Sequence, residues 1–383
     1  MKIVHYLPRI RLVEGGVVRA VIDMTGALAD AGEEVTLLTH DPADAPDEWA
    51  GADRAPRVVT IPSQGAAGLL PAGARRACEA HIRECDVLHV HTPWERANIQ
   101  LAKVARRAGK PYALSVHGML DDWCMAHRGA KKRLYLALAG RRLLENASWV
   151  HCTAEAELAQ ASRWFPRGSG AVVPYVFDIA PFQNLPGPAE ARDAFDLPED
   201  RPVILFLSRV HEKKGVEILL RAFAIVRSSR PNAILIVAGP GDDAYVNAMR
   251  RLAGDLGLGE DARFPGMVRG ERKLSLYQAA DVFALPTHQE NFGLVLPESL
   301  ACGTPVVTTR GVDIWAELER SGGARIVDKT PEAVAAAVLD LLADEQALRA
   351  AGEGARSWVL EHYDGARTVR SFQERYKAIA GKA

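Results

Sequence analysis

Short apolar runs alternate with longer amphipathic stretches along almost the whole chain, the pattern of a parallel α/β architecture. In the first half the spacing predicts strands at Ile3–Leu7, Val35–Thr39, Val58–Ile61, Val87–His91, Tyr112–Val116, Trp149–Cys152 and Ala171–Val173. Helical periodicity fills several of the gaps, as at Val17–Ala31 and Ala97–Ala108, with Gly32 placed to cap the first of these. The pattern then restarts. Strands are expected at Val203–Ser208, Ala233–Ala238, Ala262–Phe264, Val282–Leu285 and Pro305–Thr308, and the tail from Pro331 reads as helix with a break near Tyr363-Asp364-Gly365. The expectation is two doubly wound, Rossmann-like domains, residues 1–180 and 203–364, joined by a Pro-, Asp- and Ala-rich linker at 181–202 and followed by a helical segment, 365–383. Ligands of such domains lie beyond the carboxyl ends of the strands, and the candidate residues fall there.

The most informative stretch runs from Glu290 through Asn291, Phe292, Gly293 and Leu294 to Glu298. A glycine turn between an apolar strand and a helix lets the backbone approach a ligand closely, and helix-start N–H groups favour an anionic oxygen. The flanking carboxylates accept hydrogen bonds from neutral hydroxyls. Phosphate donors in the middle and hydroxyl acceptors at the edges suit a nucleotide sugar. Arg209 and Lys214 lie between a predicted strand and a helix opening at Gly215 or Val216, where two cations can neutralise a pyrophosphate. Such charge-assisted bonds contribute roughly 1.5–3 kcal/mol each, although solvated basic residues are also common at strand ends. Gly15-Gly16 at the first helix start is a second candidate anion cradle, and also fits a plain turn. His91 and His117 each end a predicted strand; His117, followed by Gly118, is the better placed to touch a substrate.

Bulk properties narrow the field. The chain has 383 residues and a formal net charge of −1, so no global positive field argues for nucleic acid. Its 5 cysteines, Cys78, Cys85, Cys124, Cys152 and Cys302, have no metal-ligand spacing and read as free thiols of a reducing compartment. With no signal-peptide pattern and no run approaching the ~20 apolar residues of a membrane span, a cytoplasmic protein is expected. One segment complicates this. Arg128 to Arg142 carries Arg128, Lys131, Lys132, Arg133, Arg141 and Arg142 among leucines at helical spacing, which fits either a solvated face or peripheral contact with anionic lipid at the inner face of the plasma membrane. No Asp-x-Asp pair and no GxxxxGK[ST] loop occurs, so neither a metal-bound nucleotide nor a P-loop is indicated.

Together, Glu290 and Glu298, Arg209 and Lys214, Gly15-Gly16, His117-Gly118 and the Ala-Cys302-Gly-Thr-Pro run resemble family 4 glycosyltransferases, retaining enzymes of the GT-B fold. The resemblance spans essentially the whole chain, and His117-Gly-Met-Leu-Asp with Trp123 is similar to bacterial members acting in cell-surface polysaccharide or glycolipid assembly. It implies that Gly16, Arg209 and Lys214 meet the donor phosphates, that Glu298 holds the ribose, and that Glu290 contacts the transferred hexose. It further implies that backbone from Asn291 through Phe292 and Gly293 to Leu294 grips sugar and phosphate, that His117 bonds the sugar near the reaction centre, and that the base sits by Gly239 and by Met267-Val268. The last helix would return to the first domain. Partners would be a nucleotide-sugar donor and a glycan or lipid-linked acceptor, with neither metal nor other cofactor. Acceptor recognition is expected in loops such as Gln64–Ala72 and Leu120–Ala130. The chain departs from the family at Pro174-Tyr175-Val176-Phe177-Asp178, where Pro-Asn-Gly-Val-Asp is common, and at Asn291, where glycine is more usual. A nucleotide-sugar epimerase and a non-catalytic sugar-nucleotide-binding protein are the alternatives; a dehydrogenase fits least, for want of GxGxxG.

Overall fold

The structure, a computed structural model, describes every residue except 64, 66, 67, 382 and 383. Gln64, Ala66 and Ala67 of the first expected acceptor loop, and the last two residues of the 365–383 segment, therefore lie outside the described residues. The chain divides into two compact units, Met1–Asp178 with Asp364–Ala383, and Ile179–Tyr363.

The first unit is built on seven parallel strands: β1 Lys2–Tyr6, β2 Glu34–Thr39, β3 Arg57–Thr60, β4 Val87–His91, β5 Tyr112–Ser115, β6 Trp149–Cys152 and β7 Gly170–Val172, in the order β3-β2-β1-β4-β5-β6-β7. The order reverses between β1 and β4, the switch point of a doubly wound sheet. Helices flank it because the central strands bury both faces: β4 and β5 are buried at every position. The helix Gly16–Asp30 ends where Gly32, at φ 89°, turns the chain into β2. The helix Gly365–Ala380, capped by Asp364 through a 2.8 Å bond from the Ala366 N–H, belongs to this unit. Its Val369, Phe372 and Tyr376 pack in one apolar cluster with Ile3 of β1, Val87 of β4, Ala113 of β5 and Trp149 of β6.

The second unit has six parallel strands, β8 Val203–Leu207, β9 Ile234–Ala238, β10 Ala262–Gly266, β11 Val282–Leu285, β12 Val306–Thr309 and β13 Ala324–Val327, in the order β10-β9-β8-β11-β12-β13. Its switch point lies between β8 and β11, both buried throughout. β13 was not legible from the sequence: it is an edge strand, mostly half-buried, without a clear apolar run. The stretch 181–202, expected as a linker, instead carries helices Ala180–Gln183 and Ala189–Phe195 within this unit. The Ala191 N–H bonds Ser275 Oγ at 3.0 Å and Glu190 pairs with Arg272 at 3.0 Å, fixing the second helix to the helix Gly270–Ala279. Prolines start these helices rather than break them: Pro181 sits in the first turn of one and Pro188 caps the other.

Candidate functional site

At the switch point of the second unit, β8 leads into Ser208, Arg209, Val210 and His211, then a 3₁₀ turn at Glu212–Lys214 and the helix Val216–Ser229. Gly215 joins turn to helix at φ 69°, and a Cβ there would lie 2.1 Å from the Pro286 carbonyl oxygen. Only glycine lets the loops after β8 and β11 approach this closely. Hydrogen bonds then fasten them, the Thr287 hydroxyl donating to the Lys213 carbonyl at 2.8 Å and the His288 N–H to the same oxygen at 2.9 Å. The loop after β12 joins in, with Glu290 N–H to the Gly311 carbonyl at 2.7 Å and Asp313 N–H to the Glu290 carbonyl at 3.0 Å.

This backbone arrangement carries Lys214 Nζ onto Glu290 Oε2 as an ion pair. The Lys214 side chain is only 8% exposed. Burial, with Lys213 and Arg209 as neighbouring cations, lowers the Lys214 ammonium to about 7. The Glu290 carboxylate against it favours the charged form. Arg209, by contrast, is exposed and has no ion-pair partner among the described residues. So the structure brings Lys214, Arg209 and Glu290 together, yet gives Lys214 to the carboxylate that the sequence assigned to the sugar.

Glu298, in the helix Val295–Ala301, is held from a direction the sequence reading missed. Lys273 Nζ lies 2.8 Å from its Oε1, and the Tyr277 hydroxyl donates to its Oε2 at 3.0 Å. Lys273 and Tyr277 are four residues apart on the helix Gly270–Ala279 and share one face, a spacing too common to single out in advance. Burial and the Glu298 charge push the Tyr277 phenol well up, so it stays a donor. Gly239 ends β9 at φ 137°, its backbone pressed so close to Ser208 that a Cβ would stand 1.8 Å from the Ser208 oxygen. The Gly239 N–H reaches the Gly266 carbonyl at 2.7 Å, which sets Met267, half exposed, and buried Val268 beside the same strand ends. Phe292 is buried and meets Tyr363 edge-on at 5.8 Å, so only backbone in the 291–294 turn is offered outward at that residue. Gly293, at φ 63°, packs where a Cβ would meet Glu290 Cγ at 2.8 Å.

In the first unit the glycine pair divides its work. Gly15 takes φ 105°, which demands glycine, whereas a Cβ at Gly16 would meet nothing within 4 Å. His117 takes a left-handed φ of 51° and is 6% exposed. Both of its ring nitrogens are engaged within the fold, Nδ1 with the Tyr175 hydroxyl at 2.7 Å and Nε2 with His91 Nδ1 at 3.1 Å. His91 Nε2 in turn meets His5 Nδ1 at 3.1 Å. A second string runs from the Tyr376 hydroxyl to His89 Nδ1 at 2.6 Å, from His89 Nε2 to Ser115 Oγ at 2.7 Å, from Ser115 Oγ to His151 Nδ1 at 2.6 Å, and from His151 Nε2 to the Val173 carbonyl at 2.7 Å. Strand alternation puts His5, His89, His91, Ser115 and His151 on one face, in register as His5↔His89, His91↔Ser115 and Ser115↔His151. Glu157, also buried, holds the next residue by accepting from the Gly118 N–H, and it accepts from Thr153 N–H and hydroxyl at 2.5 and 2.9 Å.

Comparison with known proteins agrees with this fold and names the family. The family described as Glycosyl transferases group 1 matches residues 189–358, and the Glycosyl transferase 4-like domain matches residues 15–175. The GDP-mannose-dependent alpha-(1-6)-phosphatidylinositol monomannoside mannosyltransferase of Mycolicibacterium smegmatis is 31% identical over 76% of this chain and 78% of its own. The phosphatidyl-myo-inositol mannosyltransferase of the same organism is 30% identical over 96% of this chain and 92% of its own. Among solved structures, the sucrose-phosphate synthase of Thermosynechococcus elongatus superposes with a TM-score of 0.80 at 23% identity, covering 100% of both chains. The chain belongs to the group 1, family 4-type glycosyltransferases; it is an enzyme of the GT-B fold.

The buried imidazoles have a consequence for pH stability. Burial lowers His5 and His117 to about 3 and His151 to about 4, and burial with neighbouring rings takes His89 and His91 well below their ordinary value. Below about pH 6.5 the unfolded chain therefore binds protons that the folded unit refuses, so stability present above that pH is lost as the pH falls toward 3–4. Each ring contributes up to about 1.4 kcal/mol per pH unit across this window. Glu157 opposes this, since burial raises its carboxyl, but it is one group against five. Denaturant unfolding followed through the first unit should show a midpoint falling steeply between pH 6.5 and 4.5, with proton uptake on unfolding; a flat midpoint would mean the rings are solvated or charged in the fold.

Proposed function

We propose that this enzyme is a retaining, metal-independent hexosyltransferase that takes its sugar from a nucleoside diphosphate sugar. The observation that carries the reading is the buried Lys214–Glu290 pair beside exposed Arg209, at the carboxyl ends of β8 and β11. A diphosphate arriving there offers Lys214 a second anion and Arg209 a first one. As the glycosidic C–O bond to phosphate breaks toward an oxocarbenium-like state, negative charge grows on the leaving group, and these preorganised cations stabilise it. No step then needs a metal. Glu290, next to Lys214, is in place to accept a hydrogen bond from a hexose hydroxyl, and Glu298, oriented by Lys273 and Tyr277, from the ribose. The base would lie against Gly239 and the Met267-Val268 backbone, and Gly16 would offer its N–H to phosphate. The acceptor hydroxyl attacks from the leaving-group face and passes its proton to the departing phosphate oxygen, which preserves the anomeric configuration.

The names of the two mycobacterial relatives guide the choice of substrates, a GDP-linked mannose donor and an inositol-containing lipid acceptor. Incubation with GDP-mannose, UDP-glucose and related donors, in EDTA, with phosphatidylinositol or inositol phosphate should yield a glycoside of retained configuration by proton coupling constants. Release of a rearranged free sugar, or binding without turnover for every donor and acceptor, would contradict it. Glu298→Gln should raise the donor KM about tenfold, the worth of one charged hydrogen bond; an unchanged KM would remove Glu298 from the donor site.

A lipid-linked acceptor also bears on the basic helix. In the run Gly129–Glu145, which includes a π-helical turn at Leu136–Gly140, Leu136, Leu143 and Leu144 point inward. Leu134 and Leu138 point outward, 60% and 71% exposed, among exposed Lys131, Arg133, Arg141 and Arg142. Lys132 is not available to lipid in the same way, as its Nζ bonds the Cys124 carbonyl and lies 5.5 Å from the Trp94 ring centre. Among the described residues no helix is long and apolar enough to cross a membrane. The helix would instead lie on an anionic surface, each cation contributing about 1 kcal/mol. Flotation with phosphatidylglycerol vesicles should retain the protein and lose most of it on combined Lys131→Gln, Arg133→Gln and Arg141→Gln substitution; absence of binding by the native protein would end this part of the reading.

A further inference from the structure

The strand-end loops of the second unit meet at His288, in the loop that follows β11. Its N–H donates to the Lys213 carbonyl at 2.9 Å, directly before Lys214. Its own carbonyl accepts from Lys329 Nζ, after β13, at 3.4 Å. The same oxygen faces Gly311, after β12, where a Cβ would stand 2.7 Å from it. The His288 ring meets Glu217 Oε1 through Nε2 at 3.0 Å. A carboxylate can only accept, so the ring carries a proton on Nε2. The other oxygen of Glu217 accepts from the Tyr245 hydroxyl at 3.0 Å. Tyr245 lies in the first turn of the helix Asp243–Asp255, which follows β9.

Glu217 itself stands in the first turn of the helix Val216–Ser229, one turn beyond Lys214. Its two oxygens therefore join the helix after β8 to the loop after β11 and to the helix after β9. Burial, with the Glu217 and Glu212 charges, pushes the Tyr245 phenol up, so it keeps its proton and stays a donor. The loops after β8 and β9 also pair directly, the Val210 N–H donating to the Pro240 carbonyl at 2.7 Å. The side chains of His288 and Glu217 are 36% and 34% exposed. A pair this wet contributes little to global stability. What it does instead is fix where the loops stand relative to one another.

We propose that Glu217, with His288 and Tyr245, is a positioning residue for the nucleoside diphosphate, holding the loops after β8 and β11 at the spacing that presents Lys214 to phosphate. This rests on the sugar-transfer reading above. Charge alone would act the other way. Glu217 is an anion one turn from a cation meant for phosphate, so removing its charge would by itself strengthen nucleotide binding. A loss of affinity on removing it therefore reports geometry.

Titration calorimetry with GDP, UDP and ADP, in EDTA, reads the affinity of the native protein and its variants, each checked for a cooperative thermal transition. Glu217→Leu removes both acceptor oxygens and should bind the preferred nucleotide about tenfold more weakly. Glu217→Gln, whose amide still accepts from Tyr245 and donates to the His288 ring, should bind as tightly as the native protein or slightly more so. In a Lys214→Met background the Glu217→Leu change should cost less than about twofold, because the group it positions is gone. A merely structural loss would be the same in both backgrounds. Unchanged or tighter binding by Glu217→Leu, or equal losses with and without Lys214, would overturn the proposal. Should Glu217→Leu fail to fold, Tyr245→Phe, which removes one of the two bonds, goes through the same cycle with an expected loss of about threefold in the native background and none beside Lys214→Met. If the native protein binds no nucleotide, the functional reading fails and takes this proposal with it; native binding that is indifferent to Glu217 overturns the proposal alone.

Discussion

A buried ammonium against a carboxylate at the open end of a parallel sheet is the constraint around which the second unit is arranged. Taking Lys214 out of water, against a half-buried Glu290, costs several kcal/mol, and only close pairing offsets it. The close pairing needs the loops after β8, β11 and β12 to touch, and this explains the otherwise unrelated demands for glycine at Gly215 and Gly293 and for the Thr287 hydroxyl. Lys214 has few ways to keep its charge: burial, Lys213 and Arg209 all work against it. A site that holds a cation under such tension favours any further anion that can reach it. The pair is thus a structural staple that ties the loops after β8 and β11 together.

The first unit handles buried polarity by the opposite means. There the buried polar side chains are neutral imidazoles, hydroxyls, the Asn98 amide and the carboxyls of Asp121 and Glu157, held largely by hydrogen bonds. Neutral groups suit a face that the helix Gly365–Ala380 must cover with Val369, Phe372 and Tyr376. The buried ammonium and its carboxylate belong to one unit, and the hydrogen-bonded strings of imidazoles and hydroxyls to the other.

Much of this was legible in the sequence. The parallel strands show as short apolar runs because both faces are buried, and only edge strand β13, half wet, escaped. Candidate residues at strand ends follow from the doubly wound order, which places Arg209, Lys214 and Glu290 together without any knowledge of contacts. Three things were hidden. Pro-rich 181–202 carries helix-starting prolines that look like linker prolines. Lys273 and Tyr277 reach Glu298 only through the tertiary placement of their helix. His5 joins the string of His91 and His117, and His89 and His151 share a second string through Ser115, because of strand register, which a single sequence does not specify.

Isothermal titration of GDP and UDP into the native protein and into Lys214→Met tests the central claim most directly. Methionine keeps the buried stem and removes only the charge. The account predicts metal-independent binding of one of the two nucleotides, weakened at least tenfold in the variant, as expected for a buried charge-assisted bond to phosphate. Equal affinity of the two proteins for that nucleotide would contradict it, and would reduce the Lys214–Glu290 pair to a purely structural tie.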